Sequence, residues 1–352
     1  MKKHSTLKIL LISLLVIIGG LFVAGVVLNQ TGAKFTDLDQ NDQQVLIEYE
    51  KLAQSTKKQG PLWEGYDLTD QPLVFINQGF GKSAYVVNPK QPVSKLWAKE
   101  IKMPAKYNTK KVYRISSLTP KMIWTKRTLG NFNTIGEKIK ILGQNVYCLQ
   151  YGSENLQPKY SANHFAPYLA HEAFHYYMQN NWSPSDRFDG ELSQNGIKLL
   201  KQEYAVLSQI KAQLAHGSHD KLFQLADNYV AIVKQRLVEN PDYVQKELTM
   251  ATIEGTASYV GIQAAQRVGY DYGVMYFDNV KNVDFNEVIP MLEKKGIDRS
   301  FLRNRMPYET GALVCELLAK LNVPHWQQKL NQQTIQKQVT LYDVLKDYVA
   351  TP

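Results

Sequence analysis

His171-Glu172-Ala173-Phe174-His175 decides how this chain is read. The stretch lies within residues 162–181, where Phe165, Leu169, Ala170, Ala173 and Phe174 follow helical spacing. Two histidines four apart on a helix project from one face. Their neutral nitrogens can bind one zinc ion at about 2.0–2.1 Å. Glu172, the next residue after His171, lies about 100° round the axis. It reaches a water on the ion without being a ligand, which suits a carboxylate that takes the water's proton and returns it to a leaving amine. The competing reading is a histidine pair on an ordinary helix. Histidine is scarce here, seven in 352 residues, so such a pair flanking a glutamate on an apolar-patterned helix favours the chemical reading.

A catalytic zinc takes three protein ligands and a water. Glu254, in Thr252-Ile253-Glu254-Gly255-Thr256-Ala257-Ser258-Tyr259, is the first choice for the third. Ala251, Gly255, Ala257 and Ser258 would let its helix approach the His171/His175 helix closely. Glu247 lies seven residues earlier on the same face and is expected to support the site from behind. Glu191 and Glu203 stay open as alternative ligands, ranked second and third because their neighbours are polar and long.

Taken together, HExxH (171–175) and the later Glu-Gly-x-Ala-x-Tyr (Glu254, Gly255, Ala257, Tyr259) resemble the gluzincin group of zinc metallopeptidases. The resemblance spans roughly residues 161–321. It implies a zincin-like fold, Zn2+ held by His171, His175 and Glu254, and Glu172 as general base. Two departures set the chain apart from thermolysin-like members. Glu254 follows His175 by 79 residues, and position 258 is Ser rather than an acid. No thermolysin-like substrate preference is therefore carried over.

Hydrolysis at a carbonyl also needs a donor for the developing oxyanion. Tyr308, in Pro307-Tyr308-Glu309-Thr310-Gly311, is the expected donor, with His164 and Tyr259 behind it. The competing role for Tyr308 is packing at a helix start.

Outward from the motif, residues 161–352 read as helical: 162–181, 190–216, 221–238, 242–268, 286–295, 308–321 and 341–349. Asn240-Pro241 marks a helix start, Asn as cap and Pro first, and Thr340 caps the last helix. Residues 62–160 read as an antiparallel sheet, with strands near 73–77, 83–87, 111–115 and 145–150 punctuated by Gly and Pro. Strands followed by helices make the class α+β, with 62–352 expected as one catalytic domain in a sheet part (62–160) and a helical part (161–352). Residues 29–61 read as a linker with a short helix near 39–55.

Residues 1–28 read as a cytoplasmic tip and a transmembrane signal-anchor. Positions 9–28 carry no charge. Twenty helical residues span about 30 Å, the thickness of the hydrocarbon core. Lys2, Lys3 and Lys8 precede the segment, so the N-terminus is expected in the cytoplasm and the rest outside. A cleaved signal peptide is the rival reading. Its apolar core would be shorter, about 7–15 residues, and Thr31-Gly32-Ala33 is a weak cleavage site.

The hydrophobic fraction of 44% and charged fraction of 21% exclude a largely disordered chain. The net charge of +9 is scattered, with no nucleic-acid motif, so no nucleic-acid partner is expected. Attraction to anionic envelope polymers is the remaining implication of the charge. Cys148 and Cys315 lack metal or redox spacing and leave one bridge or two free thiols open. Three functions compete: a membrane-anchored extracytoplasmic zinc metallopeptidase acting on a peptide or protein, a non-catalytic envelope binding protein with the same fold, and a zinc amidase acting on cell-wall material.

Overall fold

Alternating apolar side chains on short strands need cover on both faces, and the computed structural model shows how two helices supply it. The model describes residues 2–31, 34–116, 118–156, 160–184, 190–278 and 280–351. Gly32 and Ala33 of the weak cleavage stretch lie outside the described residues. The chain divides into two compact units, one from residues 1–61 and 67–157, the other from 62–66 and 158–352. The architecture is mixed α+β.

The first unit runs α1 (Lys2–Gln30), α2 (Gln40–Gln59), β1 (Leu73–Asn77), β2 (Ala84–Val87), β3 (Lys99–Glu100), β4 (Val112–Ile115), α3 (Pro120–Thr128), β5 (Ile139–Ile141) and β6 (Gln144–Tyr151). Within α1, residues Lys8–Gln30 are long and apolar enough to cross a membrane. The stretch expected as a linker holds a full 20-residue helix, α2. Asp39 caps it by accepting from Asn41 N at 3.0 Å, and Val45, Leu46, Tyr49 and Leu52 are buried.

The sheet order is β3-β4-β2-β1-β6-β5. It corrects the antiparallel expectation at one place: β1 and β6 pair in parallel, Leu73 opposite Tyr147 through Asn77 opposite Tyr151. The other pairs are antiparallel. A parallel pair needs a long crossover, and β2 through β5 with α3 supply it. Both strands are buried almost throughout, as central strands covered on two faces must be. Val74, Ile76, Val86, Val146 and Cys148 pack on one face together with Met122 of α3. On the other face Phe75 meets Tyr49 of α2 edge-on. There Asp42 accepts from Tyr85 and Tyr151 hydroxyls at 2.5 and 2.6 Å and from Asn77 Nδ2 at 2.6 Å. Three donors offset the burial of that carboxylate.

The second unit consists of α4 (Phe165–Met178), α5 (Gln194–Leu214), α6 (His219–Glu239), α7 (Pro241–Val268), α8 (Phe285–Glu293), α9 (Ser300–Asn304), α10 (Met306–Lys320), α11 (Trp326–Asn331) and α12 (Leu341–Val349). Its organising element is α7. Asn240 caps it, accepting from Tyr243 N at 3.3 Å, Pro241 opens it, and Gly269 closes it at φ 82°. At 28 residues it is about 42 Å long and is buried along most of its length. Helix α10 crosses α7 at two glycines. A Cβ on Gly255 would stand 2.4 Å from Gly311 Cα, and one on Gly311 would stand 1.9 Å from the Ala251 carbonyl oxygen. Helix α4 meets α7 at Gly261, where a Cβ would lie 3.0 Å from Pro167 O. Residues 62–66 complete this unit: Trp63 packs edge-on against Phe174 and Trp326 and donates to Asn331 Oδ1 at 2.8 Å. Cys148 and Cys315, one in each unit, are both buried free thiols.

Candidate metal centre

Helix α4 presents His171 and His175 on one face, with their Nε2 atoms 3.0 Å apart. Helix α7 brings Glu254 to them. Its Oε2 lies 3.4 Å from His171 Nε2 and 3.2 Å from His175 Nε2. The three side chains are about 15% exposed. The approach depends on small residues, but not all at the places expected. Gly261 admits α4, with His171 Cβ 3.7 Å from the position of a Cβ there. Gly255 instead admits α10, the helix that carries Tyr308.

Gln179 fixes the protonation pattern. Its Nε2 donates to Ile253 O at 2.9 Å and to Thr256 Oγ1 at 2.8 Å. Both partners accept, since Thr256 Oγ1 gives its own proton to Thr252 O at 2.7 Å. Gln179 Oε1 therefore faces His175 Nδ1 at 2.5 Å, and Nδ1 must carry the proton. His175 Nε2 then turns a lone pair toward Glu254 and His171. Lone pairs converging at this distance repel unless a cation, proton or metal, sits among them.

The electrostatics agree. Burial pushes the Glu254 carboxyl up, but hydrogen bonding to His171 and His175 outweighs it and holds the group well below the usual carboxylate range. Burial disfavours a charged His175, yet Glu254 more than offsets this and raises the imidazole. The cluster thus favours positive charge at its centre. Two ligands bound at about 2.0–2.1 Å with a tetrahedral angle between them stand roughly 3.3 Å apart. The observed separations of 3.0, 3.2 and 3.4 Å match that spacing. Two imidazole nitrogens and one carboxylate oxygen can therefore hold one divalent ion, with a position left over.

Glu172 sits half-buried beside His171 on α4. Tyr308, in the first turn of α10, lays its ring parallel to that of His171, 5.9 Å between centroids and 4° between planes. Arg305 stands over the other side of this group, its guanidinium carbon 5.8 Å from the Tyr308 ring centre. His164 stacks on Tyr270 at 3.7 Å, and Tyr259 packs against Trp63 and Trp326.

The other acids take different places. Glu191 is exposed, 3.5 Å from Arg299. Glu203 is buried rather than exposed. Arg236 donates to Glu203 at 2.5 Å and to Glu247 at 2.6 Å. Burial raises the Glu203 carboxyl even against Arg236, with Glu247 adding to the shift. Glu247 is thus committed to this ion triad and not to the metal ligands. Gln179 and Thr256 were not read from the sequence. The signal for Gln179 was its place four residues after His175, on the same helix face.

No known protein family, curated protein or solved structure matches the chain.

Proposed function

We propose that this protein is a zinc-dependent metallopeptidase, anchored in a membrane by α1 and acting outside the cytoplasm on peptides or proteins. The observation that carries the proposal is the convergence of His171 Nε2, His175 Nε2 and Glu254 Oε2 within 3.0–3.4 Å, with His175 held as the Nδ1–H tautomer. The nitrogen and oxygen donor set suits Zn2+, and three protein ligands leave the open position of a catalytic rather than a structural site.

A zinc ion held by His171, His175 and Glu254 would supply Lewis acidity, lowering the pKa of a bound water and polarising the substrate carbonyl. Glu172, beside His171 and not part of the ligand cluster, takes the proton from the attacking water and hands it to the leaving amine. Tyr308, stacked on His171, donates its hydroxyl to the oxygen that becomes negative in the transition state. Glu254 and the Gln179–His175 pair keep the ligand geometry through the reaction. The lysines at the start of α1, Lys2, Lys3 and Lys8, favour a cytoplasmic N-terminus.

The test is Glu172→Gln in the detergent-solubilised full chain, assayed for zinc content and for cleavage of a denatured protein. We expect zinc near one equivalent in both forms and a fall of at least a hundredfold in cleavage in the variant. Cleavage equal to wild type would remove Glu172 from the mechanism. A wild-type protein with no zinc and no cleavage would remove the proposal.

A further inference from the structure

A cavity of about 580 Å³ opens within the helical unit. Its walls include Val283, Val288, Met291 and Phe301, with Asp278, Glu287 and Arg305 among them. The volume falls in the range of ligand sites, about 300–1,000 Å³. Two routes place it relative to the ligands. Arg305 is 5.8 Å from the Tyr308 ring, which is 5.9 Å from the ring of His171. Asn163, also on the cavity wall, lies just before α4, whose first residue Phe165 precedes His171 by six residues, about 9 Å along the helix axis.

Resting on the peptidase reading, we propose that this cavity is a remote specificity pocket that takes one large uncharged apolar side chain of the substrate. An extended peptide advances about 3.4 Å per residue. At a separation on the order of 10 Å, the side chain that reaches the cavity belongs to the third or fourth residue from the attacked bond. Of the three charged groups on the wall, Arg305 and Asp278 are already engaged and Glu287 is exposed to solvent, which leaves the apolar side chains as the recognising surface. The Arg305 guanidinium is already paired with Glu309 at 2.9 Å and lies over the Phe277 ring at 5.2 Å, so it does not call for a carboxylate. Asp278 accepts from Ser161 Oγ at 2.7 Å, which occupies one of its oxygens.

The experiment uses the zinc-loaded full chain and a library of peptides from a digested protein mixture, with cleavage sites mapped by mass spectrometry. We expect several-fold enrichment of Phe, Trp, Leu and Met at the third or fourth position on one side of the cleaved bond. Met291→Lys places a charge in the cavity and should abolish that enrichment, with unchanged zinc content as the control for folding. Cleavage without enrichment, enrichment of acidic or basic residues at those positions, or enrichment that survives in Met291→Lys overturns the pocket and leaves the peptidase reading standing. No cleavage by wild type overturns the peptidase reading itself.

Discussion

Gln179 Oε1 accepts the Nδ1 proton of His175 at 2.5 Å, while its amide nitrogen grips the backbone and a threonine of the helix that bears Glu254. One side chain thus sets the tautomer of a ligand and ties α4 to α7 beside the ligand cluster. Gln179→Leu should lower zinc affinity about 10–100-fold, the usual cost of losing such a partner. Competition titration against a chelator of known affinity measures it. Equal affinities in wild type and Gln179→Leu would show that the contact does not tune the ligand.

Glu254 and Glu172 should separate by metal content. Glu254→Gln removes the charge that balances the cation and should cost more than a hundredfold in zinc affinity, whereas Glu172→Gln keeps the metal. Because the three candidate ligands come from two helices, zinc bound there would also cross-link the fold. At a free concentration about a thousand times Kd, it adds about 4 kcal/mol to the stability of the unit. Chelation should lower the unfolding midpoint of wild type and leave that of Glu254→Gln almost unmoved, as read by scanning calorimetry. A chelator-induced shift of the same size in both would exclude Glu254 as a ligand.

Local patterns were legible in the sequence where one short-range rule governs them. The HExxH spacing, the Asn240-Pro241 start of α7 and the 73–77 strand each depend on neighbours within a turn or a strand. Long-range pairing was less legible. Nothing near β1 says that its partner is β6 in parallel, because that choice is made by the crossover between them. Helix α3 escaped notice inside the strand-rich region because only nine residues form it and few of them are buried. Glu203 sits among polar neighbours in sequence, yet Arg236, 33 residues away, holds it in the core. The small residues around Glu254 are expected against α4, but Ala251 and Gly255 pack against α10, because which helix comes close is decided by the third dimension. Gly255 serves α10 and Gly261 serves α4.

That crossing makes Gly311 the most sensitive small residue near the site. A methyl group there would overlap the Ala251 carbonyl, which is backbone and cannot rotate away. Gly311→Ala should destabilise the helical unit by about 3 kcal/mol or more, at the upper end for overpacking. It should also weaken zinc binding, because Ala251 lies one turn before Glu254 on α7. Gly261→Ala meets Pro167 O at 3.0 Å and should cost less, about 1 kcal/mol. Denaturant unfolding of both variants gives the order. A Gly311→Ala protein as stable as wild type would contradict the packing of α7 on α10.

Glu316 provides a pH signature independent of the metal. It lies on α10, and burial raises its carboxyl to about 7, with Lys211 opposing and Glu309 adding to the shift. Unfolded, the same group ionises near its ordinary value of 4.5. Between these values the unfolded chain has released a proton that the folded chain keeps. The contribution of Glu316 to stability is therefore complete below pH 4.5 and is lost as pH rises through 7, a change of about 3 kcal/mol. Glu316→Gln cannot ionise and should lack this loss. The difference in unfolding free energy, variant minus wild type, should grow from pH 5 to pH 8, as measured by urea titration at each pH in constant salt. Parallel stability profiles for the two proteins would mean that Glu316 ionises in the fold as it does in water.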